Sequence, residues 1–446
     1  MAKFLFVSRS ILIVSLLIPH ALFSQLDCDN TSSGNIPIDD LGTGYFMGYQ
    51  GGLYPGGSNS MPPAHKQGGN YAAKSIKPLN AAGEVDYENG KVVFVGMGAS
   101  TANNTFNTFK TKLQTDTSGL YNPCIKYISL CIGGKGLESM IPPHNTYYWD
   151  YLINTVLPDA GVTAKQVQVG WIKSASKDDS IPEFPLQADS IYSKYILAIQ
   201  RVKDSFPNMK VLYLASHAYG GYAGDFSDNA DLAGEPASYY GGFAVKWVIE
   251  SQINGDPALK YKGAGIQAPW LSWGPYYWAD GINPRGTDGL TWVCDDFDPE
   301  GGGFHLSEQG KEKEADMLID YLYNNNASKR WFRSGATWVS CAIFERNGNG
   351  VPLMAPESKQ KINADEIVLY PSPNTGNFYI SFQNEENNSC SISIINSSGE
   401  IIRKDAFEHE AGIVNNHIQM GNVPSGIYYL IVQKGDQTIS KSFVIQ

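Results

Sequence analysis

Short runs of apolar residues alternate with longer amphipathic segments through the middle of the chain. The apolar runs are nearly continuous, which is typical of parallel strands whose sheet is covered on both faces. The segments between them carry apolar residues at helical spacing. The alternation therefore predicts an α/β domain built on a parallel sheet. The predicted strands are Val92–Val95, Tyr127–Cys131, Gln166–Ile172, Lys210–Ala215 and Gly263–Ala268, and two of the predicted helices are Ala188–Phe206 and Gly242–Ile253.

The α/β pattern closes with the stretch HLSEQGKEKEADMLIDYLYNNN, which begins at His305. Apolar residues recur in it at helical spacing and predict a final helix. We assign residues 91–335 to the α/β domain. Beyond it, residues 336–364 are polar and rich in turn formers, which indicates a linker.

From residue 365 to residue 446 the hydrophobic period changes to two. About seven short strands separated by turn signals predict a small β-sandwich. The stretches YPSPNTGNFYISF (from Tyr370), GIYYLIV (from Gly426) and the terminal KSFVIQ resemble the C-terminal sorting domain of the type IX secretion system. Ser372 stands where that family usually has Asn. The resemblance implies that the type IX machinery is a partner and that the protein is released or held at the cell surface.

The N-terminus has the pattern of a signal peptide. Lys3 and Arg9 precede a short apolar core, and cleavage is expected near Ser24. Residues 1–24 are thus predicted to be removed, and no other segment has the length of a membrane span. Residues 25–90 are rich in Gly, Pro and Asn and predict an ordered coil that covers the α/β domain.

Composition narrows the classes of protein. A charged fraction of 17% with 42% hydrophobic residues is typical of a folded chain. The net charge of -11 argues against a nucleic-acid partner. Six cysteines show no zinc spacing, and no cofactor motif is present. Export permits disulfides, but the sequence leaves their pairing open.

A candidate nucleophile follows the first strand. In VFVGMGAST the strand ends in glycines, and Ser100 comes directly after them. One interpretation is a helix N-cap, since Ser is a preferred capping residue. The other is a nucleophile at the carboxyl edge of a parallel sheet, where such sheets bind ligands. We expect Gly96 and Gly98 to adopt backbone angles that a Cβ would forbid.

A serine nucleophile needs a base, usually a histidine. His305 follows an acidic, glycine-rich loop and immediately precedes the final helix. Asp295, Asp296, Asp298 and Glu300 precede it in this loop, and a carboxylate there can orient its ring. The spacing of Asp296, Asp298 and Glu300 also opens like a calcium-binding loop, but Ser307 stands at position 12 instead of Glu.

Together these motifs resemble the SGNH (GDSL-type) hydrolases over roughly residues 91–332. The resemblance implies a flavodoxin-like, three-layer α/β fold with Ser100 as nucleophile and His305 as base. It implies that a glycine amide of CIGGKG helps form the oxyanion hole, with Gly134 as the first candidate and Gly133 as the second. The chain departs from the family pattern at four places. Ala99 replaces an Asp, Lys173 or Ser174 stands near the place of an Asn, Leu306 replaces a Pro, and Gly302 stands where an Asp normally precedes the histidine by three residues. Because the loop is about two residues longer than in the family, the resemblance implies that Glu300 or Asp298 supplies the acid.

Two further features bear on substrate binding. Lys173 is a candidate for binding the oxyanion or a substrate carboxylate, and the alternative is a side chain that points into solvent. His217 follows a strand in a way that would let it line the same crevice, and the alternative is a hydrogen-bonded packing residue. The aromatic stretch APWLSWGPYYWADG, from Ala268, fits either core packing or a stacking wall for sugar rings.

We therefore expect a secreted serine esterase that acts on a carbohydrate ester or another extracellular ester. The alternative is an SGNH-like module without activity that binds glycan or a surface partner, because parts of the family motif are absent.

Overall fold

The computed structural model describes residues 26–87, 89–176, 183–223, 234–334, 344–346, 352–354, 367–370, 374, 376–384, 388–409, 412–421, 423–435 and 437–445. The predicted signal peptide and most of the predicted linker lie outside these residues. No helix among the described residues is long and apolar enough to cross a membrane.

A five-stranded parallel sheet forms the centre of the molecule. Its strands occur in the order β2-β1-β3-β4-β5. The strand β2 is added on one side of β1, and β3, β4 and β5 are added on the other side, so the direction of strand addition reverses between β1 and β3. In open α/β sheets, ligands bind beside such a reversal, at the carboxyl ends of the strands. The strands are β1 Val92–Gly98, β2 Ile125–Ser129, β3 Val167–Lys173, β4 Val211–Ala215 and β5 Trp270–Trp273.

Helices cover both faces of this sheet. Alternate residues of β1 belong to two different cores, Val93 and Val95 to one, Val92 and Phe94 to the other. Two-sided burial explains why the strands are apolar throughout. The helices are α1 Ile38–Leu41, α2 Pro63–Ser75, α3 Ser100–Gln114, α4 Asn145–Tyr151, α5 Leu157–Asp159, α6 Leu186–Ser205, α7 Ala237–Ile253, α8 Glu308–Asn324 and α9 Lys329–Phe332.

The sequence prediction of an α/β fold with a parallel sheet is confirmed, but the fifth strand was misplaced. Residues 263–268 form an irregular segment, and β5 begins at Trp270. Gly263 and Gly265 have φ of 79° and 70°, and left-handed angles are incompatible with an extended strand. The pairing with β4 therefore starts only after this segment.

The described part of the N-terminal segment, from residue 26, is ordered and packs on the sheet domain. It contains a short ribbon, Tyr45–Phe46 with Tyr49–Gln50, as well as α1 and α2. The sequence predicted only coil here. The helix α2 begins at Pro63, and proline is well suited to the first turn of a helix. A disulfide from Cys28 to Cys294 attaches the start of this segment to the loop that leads to His305.

The C-terminal region contains two antiparallel sheets that share one core, as predicted for a β-sandwich. One sheet has the order β6-β7-β10 and the other the order β9-β8-β11-β12. Ile367 and Phe378 of the first sheet pack in the same cluster as Ile392 and Phe443 of the second. The strands are β6 Ile367–Tyr370, β7 Asn377–Asn384, β8 Asn388–Asn396, β9 Ile401–His409, β10 Gly412–Gln419, β11 Gly426–Lys434 and β12 Gln437–Ile445; a separate ribbon pairs Phe344–Arg346 with Pro352–Met354.

Candidate active site

Ser100 is the first residue of α3, directly after the turn that ends β1. The turn needs Gly98, which has φ of 139° and where an added Cβ would collide with the carbonyl oxygen of Lys173. Gly96 serves a different purpose, because a Cβ there would collide with the Phe106 ring. The prediction of a forbidden backbone angle is thus confirmed for Gly98 and wrong for Gly96. The N-cap of α3 is Ala99, so the capping interpretation of Ser100 is also wrong.

The fold brings Ser100 and His305 together across 205 positions of sequence. His305 lies between the 3-10 helix Pro299–Gly301 and the start of α8 at Glu308. Its Nε2 is 2.7 Å from Ser100 Oγ. This distance is within the reach that a nucleophile and its general base require.

The other imidazole nitrogen determines the tautomer of His305. Nδ1 lies 2.9 Å from the backbone carbonyl oxygen of Gly301. A carbonyl oxygen only accepts hydrogen bonds, so Nδ1 must carry the proton in this contact. In the neutral ring Nε2 is then an acceptor for the Ser100 hydroxyl, which is the tautomer that a general base needs.

The expected carboxylate is not at His305. Among the described residues, neither Asp298 nor Glu300 makes a side-chain hydrogen bond to the imidazole. The Asp298 carboxylate accepts from the Glu300 amide at 3.0 Å and caps the 3-10 helix, while Glu300 is exposed. Helix capping explains this outcome, because a carboxylate that accepts the first free amide of a helix is turned away from the ring.

Backbone amides provide the potential oxyanion site. The first amides of α3, beginning at Ser100, have no acceptor inside the helix and carry the positive end of its dipole. Gly134 has φ of 70° in an exposed loop. This loop is joined to the serine turn, since the Ile132 amide donates to the Gly98 carbonyl at 3.0 Å. The oxyanion role of Gly134 stays a prediction.

Lys173 does not reach the surface, contrary to the substrate-binding prediction. Its side chain is 1% exposed and pairs with Glu314, which is 0% exposed. Lys173 also donates to Thr105 Oγ1 at 3.0 Å, and Thr105 in turn donates to Glu314. The buried cluster of Lys173, Thr105 and Glu314 therefore joins β3, α3 and α8. Ser100 begins α3, and His305 lies just before α8.

His217 lies near the chain neighbours of Ser100 and His305. It lines a cavity of about 10 Å³ with Thr101, Lys173, Phe304 and Glu314, a space that fits one water molecule. Burial first, and the charge of Lys173 second, lower the pKa of His217 to about 3, so its ring stays neutral. The His217 Nε2 has no hydrogen-bond partner among the described residues. The residue as a whole is half-buried, and its role in lining the substrate crevice stays a prediction.

Two other sequence interpretations are not supported. The aromatic stretch is core, since none of its large rings is more than 4% exposed, so it forms no stacking wall; these rings are Trp270, Trp273, Tyr276, Tyr277 and Trp278. In the acidic loop, Asp296 pairs with Lys313 and accepts from the Val293 amide. No group of three or more potential metal-ligating side chains occurs among the described residues.

Sequence reasoning missed the Gly301 carbonyl and Glu314. The first is a backbone group and leaves no sequence signal. Glu314 did leave a sequence signal, because it lies one turn before Leu318 on the apolar stripe of α8. A charge at a buried position of a helix requires a partner.

The C-terminal part of the chain matches a known family. Residues 368–446 match the family described as Secretion system C-terminal sorting domain. The predicted sorting function of the tail is thereby confirmed. No curated protein matched the chain.

Solved structures show only distant likeness. PorZ, a surface component of the type IX secretion system of Porphyromonas gingivalis, has 17% identity and a TM-score of 0.15, and the match covers 20% of this chain and 12% of PorZ. An immunoglobulin-like β-sandwich protein from Bacteroides vulgatus has 12% identity and a TM-score of 0.16, covering 20% of this chain and 93% of its own. An acetyl xylan esterase has 14% identity and a TM-score of 0.28, covering 51% and 98%.

These TM-scores are too low to define the fold or the activity of this chain. The sorting domain has a direct consequence, because it implies transport by the type IX secretion machinery. The protein is therefore exported to the cell surface or secreted.

Proposed function

We propose that the protein is a secreted serine esterase of the SGNH type, acting on ester groups of a carbohydrate or another extracellular substrate. In this proposal residues 91–335 form a flavodoxin-like catalytic domain and residues 365–446 the sorting domain. The observation that carries it is the contact of 2.7 Å between Ser100 Oγ and His305 Nε2 at the carboxyl edge of the parallel sheet.

The geometry supports an acyl transfer in two steps. Ser100 Oγ attacks the ester carbonyl while His305 Nε2 takes its proton. The amides of α3 and Gly134 stabilise the negative charge that develops on the carbonyl oxygen. His305 then donates the proton to the leaving alcohol, and water hydrolyses the acyl-serine by the same route.

The Gly301 carbonyl has a defined role in this scheme. It fixes the ring and the tautomer of His305, as the acid of a serine triad does. It carries only a partial negative charge and stabilises the imidazolium less than a carboxylate would. We therefore assign the chemistry to a Ser-His dyad that is oriented by the backbone.

Hydrolysis of 4-nitrophenyl acetate by the purified chain tests the proposal. Ser100→Ala and His305→Ala should each lower kcat by several orders of magnitude. Ser118→Ala is a matched control, because Ser118 is an exposed serine whose hydroxyl contacts only the nearby Asp116 carboxylate and Leu120 amide, and this variant should keep full activity. Activity that survives Ser100→Ala would reject the proposal.

A second candidate is a glycan-binding module without hydrolytic activity. It is favoured by one observation, the absence of a carboxylate at His305 in the described structure. The same assay distinguishes the two, because such a module would show no hydrolysis in the unmodified chain.

A further inference from the structure

A second concave site lies away from the Ser100–His305 pair. This cleft has a volume of about 580 Å³, within the range of small-molecule sites, and opens between the N-terminal segment and the second half of α8. Its lining residues include the edges of the largely buried Trp273 and Tyr276. About 18 Å of helix separates the cleft residue Asp320 from Glu308, the start of α8, at 1.5 Å per residue.

One wall of the cleft is a single face of α8. Met317, Asp320, Tyr321 and Asn324 all line it, and these positions follow the i, i+3, i+4, i+7 spacing of one helical face. Because Leu318 and Leu322 of the same helix pack in the core, α8 buries one face and presents another to the cleft. The second wall belongs to the N-terminal segment.

The cleft contains polar groups that the fold leaves unused. Among the described residues, the side chains of Lys66, Asp320 and Asn326 make no hydrogen bond or ion pair. Arg285 differs from them, since it binds the Asp288 carboxylate at 2.9 and 2.6 Å and the Tyr276 carbonyl oxygen at 2.7 Å. An ammonium, a carboxylate and a carboxamide therefore remain available to a ligand.

The charges and surfaces of the cleft limit the chemistry of this ligand. Asp39, Asp288 and Asp320 all line it, and the guanidinium of Arg285 is already paired, so an anion is disfavoured. Unused polar groups disfavour an entirely apolar ligand, because it would desolvate them without replacing their hydrogen bonds with water. A ligand rich in hydroxyl groups satisfies donors and acceptors together.

We propose that this cleft binds a neutral oligosaccharide. Hydroxyl groups would bond to Lys66, Asp320 and Asn326, and the apolar faces of the sugar rings would contact the side chains of Met61 and Met317, which also line the cleft. Methionine suits this role because its side chain adapts to irregular surfaces. The site goes beyond the proposed esterase, and its existence does not depend on hydrolysis.

Isothermal titration calorimetry of the full chain carrying Ser100→Ala tests the proposal, with cellohexaose, xylohexaose and mannohexaose as separate probes. At least one hexasaccharide should bind, and the added pair Asp320→Ala and Asn326→Ala should weaken it about tenfold or more. Asp316→Ala is the matched control, since Asp316 lies on the same helix and pairs with Lys112 outside the cleft. It should leave the affinity unchanged.

Two results would overturn the proposal: no binding of any probe at millimolar concentration, or binding that the cleft variants leave unchanged. If the double variant fails to fold, Lys66→Ala tests the opposite wall in the same way. Failure of the esterase proposal can be told apart from failure of this one. If the unmodified chain shows no hydrolysis but its Ser100→Ala form still binds a probe through the cleft, the esterase proposal is rejected and this site is supported.

Discussion

Replacing Glu314 by Gln should destabilise the protein strongly, because it leaves the Lys173 ammonium unpaired in the interior. Both side chains are at most 1% exposed. Removing one partner of a buried ion pair costs roughly 3–5 kcal/mol. At roughly 2–4 °C per kcal/mol for a domain of this size, Tm should fall by roughly 6–20 °C.

Lys173→Met should have an effect of the same order, since it leaves the Glu314 carboxylate without its cation. The double variant Lys173→Met with Glu314→Leu should recover most of the loss, because it removes both charges together. Thr105 keeps an acceptor in that variant, the Thr101 carbonyl oxygen at 3.1 Å.

Thermal unfolding of the four proteins forms a double-mutant cycle. The exposed pair of Lys112 and Asp316 is the control, since it joins α3 and α8 with side chains that are 33% and 57% exposed. Asp316→Ala should cost less than about 1 kcal/mol. Two results would refute the reasoning. One is a loss of stability in the single variants of Lys173 and Glu314 that is as small as in the control, and the other is a loss in the double variant that equals the sum of the two single losses.

Three further predictions concern single positions. Glu300→Gln should leave ester hydrolysis unchanged and Asp298→Asn should cost only the stability of a helix cap, about 0.5–2 kcal/mol; a large loss of kcat in either would restore the carboxylate as the orienting group. Gly98→Ala should lower both Tm and activity because of its φ of 139°, whereas Gly241→Ala, with nothing within 4 Å, should not lower Tm. Burial raises the pKa of Glu235 from 4.5 to about 7, so the folded chain keeps a proton that the unfolded chain loses. Stability from this group should therefore fall as pH rises from 4.5 to about 7, and Glu235→Gln should abolish that part of the pH dependence in urea unfolding.

The parallel sheet was predictable because two-sided burial gives every inner strand the same continuous apolar pattern. The fifth strand was harder to place, since GAGIQA before Trp270 has apolar residues but also glycines with left-handed backbone angles. Composition alone could not show whether this segment forms a strand or an irregular loop. The backbone geometry decided that the strand begins at Trp270.

The Ser100–His305 contact was predicted from the two ends of the domain, a glycine turn after the first strand and a histidine before the last helix. The partners of these residues were not predictable in the same way. The Gly301 carbonyl is a backbone atom, and the pairing of Lys173 with Glu314 spans 141 positions. Such contacts depend on the packing of whole elements and are not encoded in local spacing.

Covalent labelling of Ser100 tests the central proposal most directly. An alkyl fluorophosphonate reacts with an activated serine by forming an oxygen–phosphorus bond and releasing fluoride, while the base takes the hydroxyl proton. Intact-mass spectrometry should show one adduct on the unmodified chain, located on Ser100, and none on Ser100→Ala or His305→Ala. A folded unmodified chain that gains no adduct, or an adduct that persists in Ser100→Ala, would contradict the proposal that Ser100 is a nucleophile activated by His305.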